Sequence, residues 1–307
     1  VYFQNIIAAI GHTPLVELSR LNPNPGVRLF AKLEGQSPGG SASVKDRIVK
    51  YMLEDAERSG CLQPGKTLIE ATSGNTGISL AWLGRLKGYR VTIVMPECMS
   101  MERRRLIQIM GAGLVLTPGE LGMNGAIAKA REMAAGSDQF FMLDQFSNPS
   151  NPEAHYERTA VEILEDLPGG RLDMLVCSIG TGGTIVGLSR RLKEVFPELL
   201  VAGVEPLRDD PIQGLRCVDD FNMPAVMDFT RVDRRHTVTS SEADECARRL
   251  LEVEGIFAGV SSGAALCQSL KSAAGMDKGT ILTILPDGGW KYLSLDLWDS
   301  PGKTVAV

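Results

Sequence analysis

Histidine is scarce: the 307-residue chain holds three (His12, His155 and His236), none at metal-ligand spacing to another, so no metal centre is expected. Its six cysteines (Cys61, Cys98, Cys177, Cys217, Cys246 and Cys267) include no C-x-x-C pair. A chain of this length needs no disulfide framework, and they read as reduced, mostly buried small hydrophobes. No run of about 18 apolar residues exists, which leaves no candidate membrane span. The N-terminus lacks the basic-then-apolar build of a secretory signal, and Val1-Tyr2-Phe3-Gln4 reads as the remnant of a cleavable tag; a cytoplasmic location is expected. A net charge of −5 argues against nucleic acid as a partner. The one basic run, Arg103-Arg104-Arg105, reads as a solvated helix face.

What is present is an ordinary globular composition, 44% hydrophobic and 22% charged, in a length that suggests about two domains. Apolar runs alternate with helical patterns. Strands are predicted over 27–34, 67–71, 90–95, 113–116, 140–143, 173–179, 200–205 and 280–285. Helices are predicted over 44–59, 76–87, 100–111, 122–135, 151–166, 183–195, 241–254 and 262–274. Such alternation indicates an α/β protein with mainly parallel twisted sheets covered by helices. Met174-Leu175-Val176 and Ile281 to Leu285 are apolar without a break, as strands buried on both faces are. In such sheets ligands bind at the carboxyl ends of the strands, so the loops that follow strands are where chemistry is expected.

Four of those loops stand out. In Ser37-Pro38-Gly39-Gly40-Ser41-Ala42-Ser43-Val44-Lys45-Asp46-Arg47, Ser43 is placed to cap a helix. Lys45 then falls in the first helical turn, where the helix dipole disfavours an ammonium and favours Schiff-base chemistry. A surface lysine beside Asp46 and Arg47 is the competing reading. Thr72-Ser73-Gly74-Asn75-Thr76-Gly77 offers hydroxyls, an amide and backbone N–H groups at a helix start, a receptor for a carboxylate; a well-capped turn is the alternative. Gly180-Thr181-Gly182-Gly183-Thr184 fits a phosphate cradle, yet it is neither a Walker loop nor a dinucleotide fingerprint, since Ile185 stands where the last glycine belongs. Gly259-Val260-Ser261-Ser262-Gly263-Ala264-Ala265 is explained by helix capping alone.

Together these loops resemble the fold type II (tryptophan synthase β-like) pyridoxal-phosphate (PLP) enzymes, specifically the cysteine synthase family. The likeness adds Gly11-His12-Thr13-Pro14-Leu15, Asp144-Gln145-Phe146 and Pro286-Asp287, and runs from about Ile6 to Leu295. Met99-Ser100, Glu102-Arg103-Arg104 and Gly122-Met123 are similar to its B-type branch. The resemblance implies that Lys45 forms the internal aldimine and later removes the substrate Cα proton. It implies that Asn75 bonds the cofactor ring oxygen, that Gly180, Thr181, Gly182, Gly183 and Thr184 grip its phosphate, and that Ser261 faces the pyridine nitrogen. Thr72, Ser73, Thr76 and Gln145 would hold the substrate carboxylate. The implied reaction replaces the acetate of O-acetylserine by sulfide or thiosulfate through an aminoacrylate, giving L-cysteine or S-sulfocysteine. Arg216 is the candidate cation for thiosulfate, with an exposed loop arginine as the alternative. A small mobile domain, 36–144, set in a larger one, 5–35 plus 145–307, and a homodimer are also implied. Rival readings are a cystathionine β-synthase, a serine/threonine dehydratase, or a silent scaffold of the same fold. Three departures from the family pattern remain: His12 stands where Asn is usual, the lysine loop is about two residues longer around Ser41-Ala42, and Gly288-Gly289-Trp290 replaces charged or polar residues.

Overall fold

The computed structural model describes residues 2–72, 74–99, 101–217 and 223–298; Ser73 and Ser100 lie outside them. The first strands, β1 (Leu15–Glu17) and β2 (Val27–Leu33), are followed by helix α1 (Val44–Arg58). Then β3 (Thr67–Ala71), α2 (Asn75–Leu86), β4 (Arg90–Pro96), α3 (Met101–Ile109), β5 (Gly113–Thr117), α4 (Gly122–Ala135) and β6 (Phe140–Met142) alternate. The chain continues through α5 (Ser150–Ala154), α6 (Ala160–Asp166), β7 (Met174–Ser178), α7 (Gly183–Val195), β8 (Leu200–Pro206) and β9 (Arg234–Val238). It closes with α8 (Ser240–Glu254), α9 (Val260–Ala274) and β10 (Gly279–Leu285).

The strands form two sheets, one ordered β1-β2-β10-β7-β8-β9 and one ordered β5-β4-β3-β6. All pairings are parallel except β1 on β2. The central strands are the apolar runs: β3 is buried along its whole length and β10 at all but its first residue. Burial on both faces is what the helical crossovers of parallel sheets require. Each sheet carries its own packed residues. Leu29, Val176, Ala264 and Ile281 belong to one face of the larger sheet, and Ile48, Leu53, Leu80 and Ile93 to one face of the smaller.

Two strands escape the apolar-run criterion. β9 reads Arg-Arg-His-Thr-Val and is mostly solvent-facing, as suits an edge strand defended by charge. β1 is three residues long and lies at the opposite edge. The helix expected over 151–166 is broken by a π turn, His155–Thr159, which makes one wide turn between α5 and α6. Among the cysteines, Cys177, Cys246 and Cys267 are buried but Cys61 and Cys98 are exposed, so burial is less general than expected; those two sit in turns beyond α1 and β4. His12 has φ 49°, a left-handed conformation that Asn and His tolerate better than most residues. Either residue suits that position.

Candidate active site

The carboxyl ends of β3, β7, β8 and β10 open onto one cavity of about 980 Å³ between the two sheets, lined by Lys45, Asn75, Gln145, Gly180, Ser261 and Pro286 among others. Helices α1, α2, α7 and α9 all begin at it. Four positive helix ends therefore meet there, an environment that favours anionic groups and disfavours ammonium.

Ser43 caps α1 as its sequence predicts: its hydroxyl accepts from the backbone N–H of Lys45 at 3.1 Å, and Asp46 Oδ2 accepts from the N–H of Ser43 at 3.1 Å. Asp46 also accepts from the Ser41 and Ser79 hydroxyls, at 2.9 and 2.7 Å. The start of α1 is thus pinned, and Lys45 projects into the cavity. Burial pushes the Lys45 ammonium down to about 8, against the pull of the Asp287 carboxylate and with help from the Lys291 charge. Two residues along α1, on its other side, Arg47 lies buried between Glu34 (Nε to Oε2, 2.6 Å) and Glu162 (Nη1 to Oε1, 2.6 Å) and donates to Thr13 Oγ1 at 3.0 Å. This network ties the first turn of α1, which presents Lys45, to the residue after β2 and to α6.

On the smaller sheet, Thr76 Oγ1 donates to Gln145 Oε1 at 2.7 Å, and Thr72 lines the same wall. Beneath them Glu70 accepts from the backbone N–H groups of Asp144 (2.9 Å) and Gln145 (3.4 Å). Burial, with Asp144 nearby, pushes its carboxyl up to about 8. Asp144 itself has φ 50°, the bend that turns Gln145 inward. On the larger sheet, Gly182 has φ 90°, and a Cβ there would lie 2.9 Å from that of Met227. Thr184 Oγ1 lies 3.2 Å from His155 Nε2, while His155 Nδ1 lies 3.0 Å from Thr159 Oγ1. The π turn therefore places a buried imidazole behind the glycine loop, and burial holds its pKa well below the ordinary value.

Asp287, at the end of β10, is the hub between the two sides. Its Oδ2 accepts from Asn75 Nδ2 (2.8 Å) and Tyr292 OH (2.9 Å) and lies 3.2 Å from Lys291 Nζ. Its Oδ1 is buried with no hydrogen-bond partner among the described residues.

Residues 6–287 match the family model described as "Pyridoxal-phosphate dependent enzyme". The chain belongs to the pyridoxal-phosphate-dependent enzyme family. Cysteine synthase A of Escherichia coli (strain K12) is 42% identical over 315 residues, covering 96% of this chain and 95% of the relative. Among solved structures, O-ureido-L-serine synthase superposes with a TM-score of 0.92 at 40% identity, over 99% of this chain and 98% of that one. Cysteine synthase from Entamoeba histolytica gives 0.91 at 37% identity, over 99% and 93%. The architecture is that of fold type II PLP enzymes, and the chain is a PLP-dependent enzyme.

The residues present fit that cofactor. The cavity has the volume of a cofactor-plus-substrate site. Loop 180–184 leaves backbone N–H groups at the start of α7 for a phosphate. Gly180 is held close to the Gly214 carbonyl, so that a Cβ would lie 2.7 Å from its oxygen, and Lys45 is the one lysine at a helix start in the cavity among the described residues.

Of the residues picked from sequence, Lys45, Thr72, Asn75, Thr76, Gln145, Gly180, Thr181, Gly182, Thr184, Arg216 and Ser261 line the cavity together. Gly183 does not; it makes room for Asn151, whose Oδ1 and Cγ would collide with a Cβ. Ser73 lies outside the described residues. Arg216 stacks 4.6 Å from the Phe146 ring centroid rather than standing in an exposed loop. The expectation that 103–105 form a solvated face does not hold for Arg103, which lines the cavity, sits over Tyr292 and donates to Gln213, and Arg105 lines the cavity as well. Sequence reading missed Asn151, His155, Lys291 and Tyr292 as site residues. The Asn-Pro…His-Tyr stretch in a helix carries no loop signal, and Asp287 was visible only as part of a motif.

Proposed function

We propose that the enzyme replaces the β-substituent of an activated serine, making L-cysteine from O-acetylserine and sulfide, with thiosulfate and S-sulfocysteine as a second pair. The observation that carries this reading is the convergence of Lys45, the Thr72–Thr76 wall with Gln145, and the 180–184 loop on one cavity. The bound cofactor supplies the electron sink that lets a Cα proton and a β-leaving group depart. Lys45 is the residue that would hold it covalently, and between steps its Nζ, which burial brings down to about 8 and so within reach of the free-amine form, would take the Cα proton. Thr72, Ser73, Thr76 and Gln145 hold the substrate carboxylate, so the Cα–H bond is presented to Lys45 rather than left to rotate. Asn75 has one amide hydrogen on Asp287 and a second for the cofactor ring oxygen. Ser261 stands at the start of α9 for the ring nitrogen, and Gly180, Thr181, Gly182 and Thr184 for the phosphate.

The smaller sheet with its helices, 36–144, is read as a mobile unit that closes on the bound carboxylate and excludes water. Its sheet is covered by its own helices, with Ala126 and Ala130 on one face and Ile78 and Leu80 on the other, and Ile10 and Ala154 from the larger unit join the second cluster. Thiosulfate use, the trait assigned to the B-type branch, rests on Arg216 at the cavity wall. A homodimer acting on small molecules in the cytoplasm completes the reading.

The test is the visible spectrum of the purified protein. A cofactor band that changes on adding O-acetylserine, and returns on adding sulfide, is expected. A band indifferent to O-acetylserine refutes the substrate, and the order in which sulfide, thiosulfate and hydroxyurea restore it ranks the nucleophiles.

A further inference from the structure

Two departures from the family pattern meet in space. The lengthened lysine loop bends at Ala42, a non-glycine residue with φ 43°, a conformation that costs energy unless its surroundings hold it. The segment after β10 lies against that bend: Ser43 and Asp287 form an antiparallel bridge, and the N–H of Val44 donates to the Pro286 carbonyl at 2.8 Å. Lys291 finishes the contact. Its Nζ donates to the carbonyls of Ser41 (2.7 Å) and Ala42 (3.4 Å) and pairs with Asp287 at 3.2 Å, with its side chain only 4% exposed. No step of the proposed reaction uses it.

We propose that Lys291 is a positioning residue for Lys45: its ammonium clamps the Ser41–Ala42 bend against Asp287 and sets a like charge near the Lys45 amine. This rests on the reading of Lys45 as the cofactor lysine. The charges facing the pair are few. Lys45 feels Asp287, Lys291 and Glu34; Lys291 feels Asp287, Asp46 and Arg103, with the Trp290 ring 5.2 Å from its Nζ. Asp287 alone would draw a proton onto Lys45. Burial does most of the lowering at Lys45, and the Lys291 charge adds to it by opposing the pull of Asp287; burial lowers Lys291 as well, and its pairing with Asp287 offsets part of that.

The test uses the holoenzyme with three substitutions. Lys291→Met removes clamp and charge, Lys291→Gln keeps donors for the carbonyls but no charge, and Lys291→Arg keeps both. After O-acetylserine is added without a nucleophile, Lys45 must displace the bound product to restore the resting spectrum, and the pH dependence of that rate reports its protonation. In Lys291→Gln and Lys291→Met the midpoint is expected to rise by about one unit, tenfold in the unprotonated fraction, and in Lys291→Arg to stay near wild type. Amide hydrogen exchange at Ala42–Lys45 is expected to quicken about tenfold in Lys291→Met only. Should Lys291→Met not fold, Lys291→Gln alone decides the charge. An unmoved midpoint in Lys291→Gln, or an equal shift in Lys291→Arg, overturns the proposal. A wild-type protein without any cofactor band overturns instead the reading of Lys45.

Discussion

Gly183 is expected to be intolerant of a single methyl group although it does not line the cavity. A Cβ there would meet Asn151 Oδ1 and stand 2.5 Å from its Cγ. Asn151 is 1% exposed, and its Nδ2 donates to the Gln145 carbonyl (2.8 Å) and to Thr181 Oγ1 (3.2 Å). Gly183→Ala must therefore displace Asn151 or lift α7 off α5. Overpacking of this kind costs about 1–3 kcal/mol, and each buried hydrogen bond lost adds roughly 1 kcal/mol. A destabilisation of about 2–4 kcal/mol is expected from urea unfolding. Asn151 links the carboxylate wall to the phosphate loop, so PLP affinity should fall as well, measured by equilibrium dialysis. The decisive assay is the double variant. In Gly183→Ala/Asn151→Ala the methyl has room, and the loss should be smaller than the sum of the two single losses by about 1 kcal/mol or more. A Gly183→Ala protein within about 0.5 kcal/mol of wild type, or strictly additive losses, refutes the argument.

Three further outcomes are expected. Arg47→Met leaves the fully buried Glu34 carboxylate without its cation, while Glu162 keeps Lys32 at 3.0 Å, and should cost about 3–5 kcal/mol in chemical denaturation. Burial opposes ionisation of Glu162, but the Arg47 guanidinium overcomes it and holds the carboxyl near 2. Its contribution is therefore complete above about 4.5 and lost as pH falls toward 2, a slope that Arg47→Met should flatten. Glu70 has the opposite sign. Its carboxyl, pushed up to about 8, holds a proton that the unfolded chain releases near 4.5, so stability is full below 4.5 and declines as pH rises to 8. Glu70→Gln should remove that contribution, seen as a smaller fall in urea midpoint from pH 5 to pH 8.5 than in wild type. Arg216→Ala should slow thiosulfate use about tenfold while sparing sulfide, read from nucleophile titrations of the cofactor band; equal losses would make Arg216 structural.

All eight predicted strands are present, the partly exposed β5 and β6 included. β10, β7 and β3 announce themselves because strands covered on both faces are predominantly apolar, with few polar residues such as Glu70 among them. β9 does not, because an edge strand is selected for charge and pairs with only β8. The π turn at His155–Thr159 is silent for another reason: its five residues suit any helix, and the wide turn exists only because α7 approaches so closely. Gly187 makes that approach possible, since a Cβ there would lie 2.7 Å from the Cβ of His155.

The same division runs through the site. Groups that face the cavity stand in loops after strands, where hydroxyls and glycines are conspicuous against an apolar background, and Lys45, Asn75 and Gly180 are legible on that account. Groups one layer behind have no such background. Asn151 and His155 are polar residues within a helical pattern, and nothing local separates them from a solvated face. Their role arises from approach across 29 or 30 residues of chain, Thr184 to His155 and Thr181 to Asn151. For His155 that approach has a chemical consequence. Its low pKa leaves it neutral, so one ring nitrogen donates and the other accepts. If the Thr184 hydroxyl donates to a phosphate oxygen it must accept from Nε2–H, and Nδ1 must accept from the Thr159 hydroxyl. That fixes one tautomer, readable from the imidazole nitrogen shifts of the holoenzyme. Thr159→Val leaves Nδ1 without its donor and should weaken PLP binding from a residue that never touches it. An Nδ1–H tautomer in the wild-type holoenzyme would refute this chain of bonds.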